Sequence, residues 1–132
     1  MPWGGVRFLA VGGLLFLCAC SAASGGSSID DVVLTTTLDS DYCPLDEVTT
    51  FSASSPIYCS VQVSNLRPGS TVTSRWYYGP QFIQEISYRV EAGGHGCVGF
   101  ELTSPNQWPR GGYRVEIYLD GKMERTATFA VT

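Results

Sequence analysis

Trp108-Pro109-Arg110-Gly111-Gly112-Tyr113-Arg114-Val115-Glu116-Ile117-Tyr118-Leu119-Asp120-Gly121 is the stretch that decides the fold. It reads as a turn, a strand and a hairpin bend. Tyr113, Val115, Ile117 and Leu119 recur at period two, with Arg114, Glu116 and Tyr118 between them. A strand turns successive side chains to opposite faces, so this alternation marks one buried and one solvated face. Asp120-Gly121 follows, a pair that tolerates the positive φ angles of a two-residue hairpin turn. A second alternating run comes next, with Ala127, Phe129 and Val131 set against Thr126, Thr128 and Ala130. The chain therefore closes on a β-hairpin.

Upstream the same grammar repeats. Val32 to Leu38 is rich in β-branched residues and reads as a first strand, broken by Asp39-Ser40-Asp41 and Pro44. Val48 to Phe51 resumes pairing. After the Ser54-Ser55-Pro56 turn, Ile57, Cys59, Val61 and Val63 alternate with Tyr58, Ser60, Gln62 and Ser64. Asn65 to Ser70 is a turn centred on Pro68-Gly69. Thr71 to Tyr78 follows, with Val72, Ser74 and Trp76 on one face. Phe82, Ile86, Tyr88 and Val90 are expected on a common face of the next run, and Val98, Phe100 and Leu102 on one face of the run after the Gly93–Gly96 loop. Helical periodicity of useful length is absent. Short, evenly spaced strands separated by Gly, Pro, Asn and Ser turns indicate an all-β antiparallel sandwich of about seven to eight strands.

Trp76 in the third main strand, and Tyr113 two residues before the inward Val115, resemble an immunoglobulin-like fold. There a core Trp faces the centre and a tyrosine corner opens a late strand. The resemblance extends from Phe51 through Ile57-Tyr58, Trp76-Tyr77, Phe100-Glu101-Leu102 and Trp108–Tyr113 to Phe129-Ala130-Val131. It is to single-domain immunoglobulin-like modules attached to bacterial lipoprotein signals. Trp108 and Tyr113 are assigned to packing.

The beginning of the chain carries the second resemblance. Arg7 precedes an apolar run, Phe8 to Leu17, which small residues end. This pattern is that of a secretory signal, too short for a spanning helix. Leu17-Cys18-Ala19-Cys20 resembles the lipobox of bacterial lipoproteins, which implies lipidation of Cys20. The expected organisation is a signal at 1–19, a Ser/Gly tether at 20–29 and the sandwich at 30–132. Each buried acyl CH₂ contributes about 0.8 kcal/mol, so two or three chains make a firm membrane anchor. The implied address is the bacterial cell envelope, and Ser21 after the cysteine favours the outer membrane in a Gram-negative cell.

Removing 19 of the 132 residues leaves 113, enough for one core. The formal charge of −4 includes Arg7, so the mature chain carries −5. Its Lys and Arg residues are scattered, which argues against nucleic acid as a partner, because phosphate neutralisation needs clustered cations.

Cys43, Cys59 and Cys97 remain after Cys20 is used. Outside the cytoplasm one disulfide is expected, with one thiol left over. Cys59 falls on an inward face and Cys97 on an outward one, so a bond between those two needs a shifted register. Cys43 lies in a loop. The favoured pair is Cys43–Cys59, closing about 17 residues and contributing roughly 3 kcal/mol, with Cys97 as the free thiol.

Candidate chemistry is sparse. His95 sits in a Gly-Gly-His-Gly loop two residues from Cys97. A thiol enzyme would need the pair oriented by a carboxylate; an exposed loop histidine is the simpler reading, and no catalytic set is assigned. Two cysteines and one His fall short of the four ligands of a zinc site, so no metal or cofactor is assigned. Asp39, Asp41, Asp46 and Glu47 form an acidic turn that reads as solvated rather than as a calcium loop. Tyr77 and Tyr118 fall on outward positions of two strands, with Arg75, Arg114 and Glu116 beside them, whereas Tyr58 belongs to the opposite sheet. Tyr and Arg on one face is the composition of a protein interface. The expected activity is non-enzymatic: a lipid-anchored module that binds an envelope protein partner or serves a structural role. The alternative is a carbohydrate-binding module stacking glycan on the same tyrosines.

Overall fold

The computed structural model describes residues 26–104 and 106–132. The signal segment and Cys20 lie outside the described residues. Eight strands are formed among the described residues: β1 (Ser28–Thr35), β2 (Thr50–Phe51), β3 (Ile57–Leu66), β4 (Thr71–Tyr78), β5 (Gln81–Arg89), β6 (Gly94–Leu102), β7 (Gly111–Leu119) and β8 (Lys122–Val131). They build two sheets, β2-β8-β7-β4-β5 and β1-β3-β6. Every pairing is antiparallel except β2 with β8, where Thr50 and Phe51 run parallel to Ala130 and Val131.

The closing hairpin forms as its alternation requires. Tyr113, Val115, Ile117 and Leu119 are buried, and Asp120 and Gly121 take φ of 51° and 85°. Two successive positive angles give a turn whose twist matches that of the flanking strands. Between the sheets lies a core centred on Trp76, which is fully enclosed and donates its indole N–H to Ser74 Oγ at 2.9 Å. That bond satisfies the one polar atom the ring brings inside. Phe129 stacks on Tyr113 at 5.1 Å and meets Trp76 and Phe51 edge-on at 6.0 and 5.4 Å. The Tyr113 hydroxyl donates back to Pro109 O at 2.5 Å, the tyrosine corner that the Trp-Pro-Arg-Gly-Gly-Tyr stretch announced.

Four expectations are corrected. Gly94 to Gly96, expected within a loop, open β6, so His95 is a strand residue. The first strand runs from Ser28 to Thr35 rather than from Val32 to Leu38, so the sheet begins inside the stretch expected as tether. Ser27 Oγ already donates to Asn65 O, and Ser64 Oγ donates to Asp30, fixing this polar start. At the other end Asp46 accepts from both Thr35 Oγ1 and the Thr36 amide, which turns the chain out of the sheet.

Phe82 does not share a face with Ile86 and Tyr88. Trp76 pairs with Gln84 while Tyr77 pairs with Phe82, so Ile83 is an extra residue in a bulge. Phe82 is thereby turned to the outer face.

The disulfide joins Cys43 to Cys97, and Cys59 is the free cysteine. Cys59 pairs with Phe100 on the inner face and is completely buried. Residues 36–47 form a flap over the outer face of the three-stranded sheet. There Tyr42 O accepts from Ser60 Oγ at 2.8 Å, and Gly99 lies beneath Leu38 and Tyr42. A loop on the outside of a sheet reaches only outward side chains, and Cys97 is the outward cysteine.

Candidate functional site

The outer face of the five-stranded sheet carries the expected tyrosines and arginines. Thr73, Arg75 and Tyr77 of β4 lie opposite Tyr118, Glu116 and Arg114 of β7. The four residues singled out in the sequence, Tyr77, Tyr118, Arg75 and Arg114, therefore occupy one patch. Tyr58 lies on the other sheet, paired with Glu101. β5 adds Glu85 opposite Arg75 and, through its bulge, Phe82 opposite Tyr77.

The patch is an interlocked lattice of rings and guanidinium groups. Arg114 lies 4.2 Å over the Tyr77 ring. Arg75 lies between two rings, 5.3 Å from Phe82 and 5.8 Å from Tyr118. Tyr77 and Phe82 meet edge to face at 5.8 Å. Carboxylates hold the cations in place: Arg75 Nε is 3.1 Å from Glu85 Oε1, and Arg114 Nε is 3.3 Å from Glu116 Oε2. Arg75 Nε is enclosed and lacks an aligned hydrogen bond, so its tie to Glu85 is an ion pair only. Glu116 also accepts from the Tyr118 hydroxyl at 2.8 Å. That bond, with partial desolvation, holds the Tyr118 pKa above its ordinary value.

The energies show how little the lattice adds to folding. Exposed ion pairs contribute about 0–1 kcal/mol each, and an exposed cation–π contact about 0.5–1 kcal/mol. Such terms add little to folding. They do hold long side chains in fixed positions, and binding then costs less rotamer entropy, about 0.5–1.5 kcal/mol for each side chain already ordered. Phe82 stays 47% exposed within the lattice. Sequence reading missed Phe82 because strict alternation sends it inward. The adjacent apolar pair Phe82-Ile83 was the available sign of a shifted register.

Cys97 is oxidised, so His95 has no thiol partner beside it. Burial pushes the Cys59 thiol up to about 12, which leaves it protonated and inert at neutral pH. Asp39 is occupied in accepting from the Asp41 and Cys43 amides, and Asp46 by Thr35 and Thr36. Among the described residues no three His, Cys, Asp or Glu side chains converge on a metal position.

No family model matches the chain, and no curated protein matches it. Among solved structures it is similar to an immunoglobulin-like protein of Pseudomonas aeruginosa, at 14% identity over 81% of this chain and 97% of that one, with a TM-score of 0.57. It is also similar to the Pseudomonas fluorescens alkylpurine DNA glycosylase AlkC bound to DNA containing an abasic site analogue, at 11% identity over 80% of this chain and 30% of that one (TM-score 0.45). A further likeness is to the CARDB domain of a Pyrococcus furiosus protein in complex with di-metal ions, at 15% identity over 78% of this chain and 94% of that one (TM-score 0.41). The strand order, the enclosed Trp76, the tyrosine corner and the first of these likenesses agree: the chain carries an immunoglobulin-like β-sandwich.

Proposed function

We propose that this protein is a non-enzymatic, lipid-anchored module of the bacterial cell envelope that binds a protein partner through the outer face of β4, β5 and β7. The observation that carries the reading is the ordered lattice of Tyr77, Phe82, Tyr118, Arg75 and Arg114. Aromatic residues and Arg supply most of the binding energy of known interfaces, and here they are held in place before any partner arrives. The lipobox-like Leu17-Cys18-Ala19-Cys20 supplies the address.

The test starts from the full-length protein in its own cell, crosslinked in place and extracted in mild detergent. One stoichiometric protein partner should copurify. Tyr77→Ala with Tyr118→Ala should weaken that complex at least thirtyfold, roughly the effect of losing one interface hot spot, with the melting temperature retained. Partner binding unchanged in the double variant sinks the reading. Capture of polysaccharide in place of protein, lost in the same variant, assigns the face to glycan instead.

A further inference from the structure

The lateral edges of the two sheets are treated unequally. β1 carries Asp30 and Asp31 beside a register shift, and its Ile29 and Asp30 carbonyls accept from Arg125 Nη2 at 3.2 and 3.0 Å. β2 is two residues long. β5 presents Glu85 and Arg89. Charges, bulges, brevity and cover are the usual protections of an open edge, since unpaired N–H and C=O groups otherwise recruit another strand. Among the described residues β6 pairs only with β3, and its segment Gly94-His95-Gly96-Cys97-Val98-Gly99 has no Lys, Arg, Asp, Glu or Pro.

The far half of the same edge shows what it accepts. The Gln84 side-chain amide donates to Glu101 O at 3.0 Å, and its oxygen accepts from Thr103 N at 3.3 Å. One carboxamide thus does for Glu101 and Thr103 what a neighbouring strand would do. Backbone groups alternate in direction along a strand. Those of His95, Cys97 and Gly99 therefore point the same way as Glu101, and no cover reaches them among the described hydrogen bonds.

This bare half lies along a groove of about 410 Å³. One wall is Tyr42 of the disulfide-held flap, 59% exposed, and the other is Tyr88 of β5, 47% exposed. Val63, Val90 and Val98 lie between them. Among the lining residues only His95 can carry a charge. We infer that β6 takes an uncharged, extended segment of a partner protein as an added antiparallel or parallel strand, paired through His95, Cys97 and Gly99. Only a peptide backbone presents donors and acceptors at strand spacing, and an added strand would send alternate side chains towards Tyr42 and towards Tyr88. The uncharged lining selects against Asp, Glu, Lys and Arg in the central positions, where they would be desolvated without a counter-charge. A second copy is the other occupant, and the test below separates it.

The inference is tested by selecting a displayed library of uncharged heptapeptides against the full chain in detergent. Enriched sequences should alternate apolar and small residues. Bound peptide should slow amide hydrogen exchange at His95, Cys97 and Gly99. N-methylation of every second amide in a selected peptide should lower affinity roughly tenfold or more in one phase, because two or more backbone bonds are lost, and leave it little changed in the other. Tyr88→Ala should weaken binding with the melting curve retained. Failure to enrich any sequence overturns the inference, as does equal tolerance of both N-methylated phases. Sedimentation of the full chain as a dimer that Tyr88→Ala dissociates would give the groove to a second copy, and overturns it as well.

Discussion

Cys59 shows how one side chain ties the core to pH. It faces inward between Leu34 and Phe100, with no measurable exposure. Burial alone pushes its thiol from 9.0 up to about 12. The unfolded chain ionises near the lower value and the folded one does not, so the folded state binds the extra proton through that interval. The contribution is complete below pH 9.0 and declines as the pH rises towards about 12. One proton sets a limiting slope of about 1.4 kcal/mol per pH unit. Urea midpoints measured from pH 8 to 11 should therefore fall more steeply for the native chain than for Cys59→Val, and parallel curves would disprove the assignment. The alternation of Ile57, Cys59, Val61 and Val63 made this burial legible. It did not reveal that Cys43 comes over the outside of the sheet, because the path of a twelve-residue loop is set by tertiary contacts such as Ser60 to Tyr42 rather than by any periodicity.

The flap shows the same division between readable strands and unreadable loops. Its acids had only their composition to speak for them. In the structure Asp39 and Asp46 shape the loop by accepting backbone and hydroxyl hydrogen bonds, and Asp46 is held below the ordinary carboxylate range by Thr35 and Thr36. The Cys43–Cys97 bond then joins cysteines 54 positions apart, against 16 for the expected Cys43–Cys59 pair. In the chain-entropy model the longer closure contributes about 4 kcal/mol, so Cys43→Ser with Cys97→Ser should lose that much in urea denaturation. A loss below about 1 kcal/mol would show that the flap is held without it. Gly99 tests the packing of the same element. A Cβ there would lie 2.9 Å from Leu38 Cδ1 and 3.1 Å from Tyr42 Cβ, so the flap must shift to admit it. Gly99→Ala should cost about 1–3 kcal/mol with the disulfide intact, the range for overpacking. In the Cys43→Ser, Cys97→Ser background the flap can retreat, and the cost should shrink. An equal cost in both backgrounds would place the strain in β6 itself and not under the flap. At this scale β4 and β7 were legible residue by residue. β5 was not, because its one-residue bulge at Ile83 inverts every face upstream of it.

Over the whole molecule the entry of the chain and the Tyr77 and Tyr118 patch have separate places. Ser27 enters beside Asn65, at the end of the sandwich that also holds the Gly69 turn and the Asp120-Gly121 hairpin. Strands of this length run about 30 Å. The Tyr77 and Tyr118 lattice lies on the flank of the body, with Tyr118 nearer the entering end because it pairs with Thr73. The patch therefore lies within about 30 Å of the point where the chain enters the sandwich. Fold class and the four polar and aromatic residues of the flank could be read from alternation because both follow from which side of a strand a residue occupies. The bare β6 edge could not, because it depends on which strands lie outermost, and strand order is a property of the assembled sheets. The acyl anchor proposed at Cys20 predicts an address that can be removed without unfolding the sandwich. Cys20→Ala should move the protein from the membrane fraction to the soluble one and remove the added mass of the acyl chains. Its melting temperature should stay within about 1 °C, because a loss of even 1 kcal/mol would shift a domain of this size by about 4 °C or more. Retention of Cys20→Ala in the membrane would refute the acyl anchor and point to the groove or the lattice as the contact that holds the protein there.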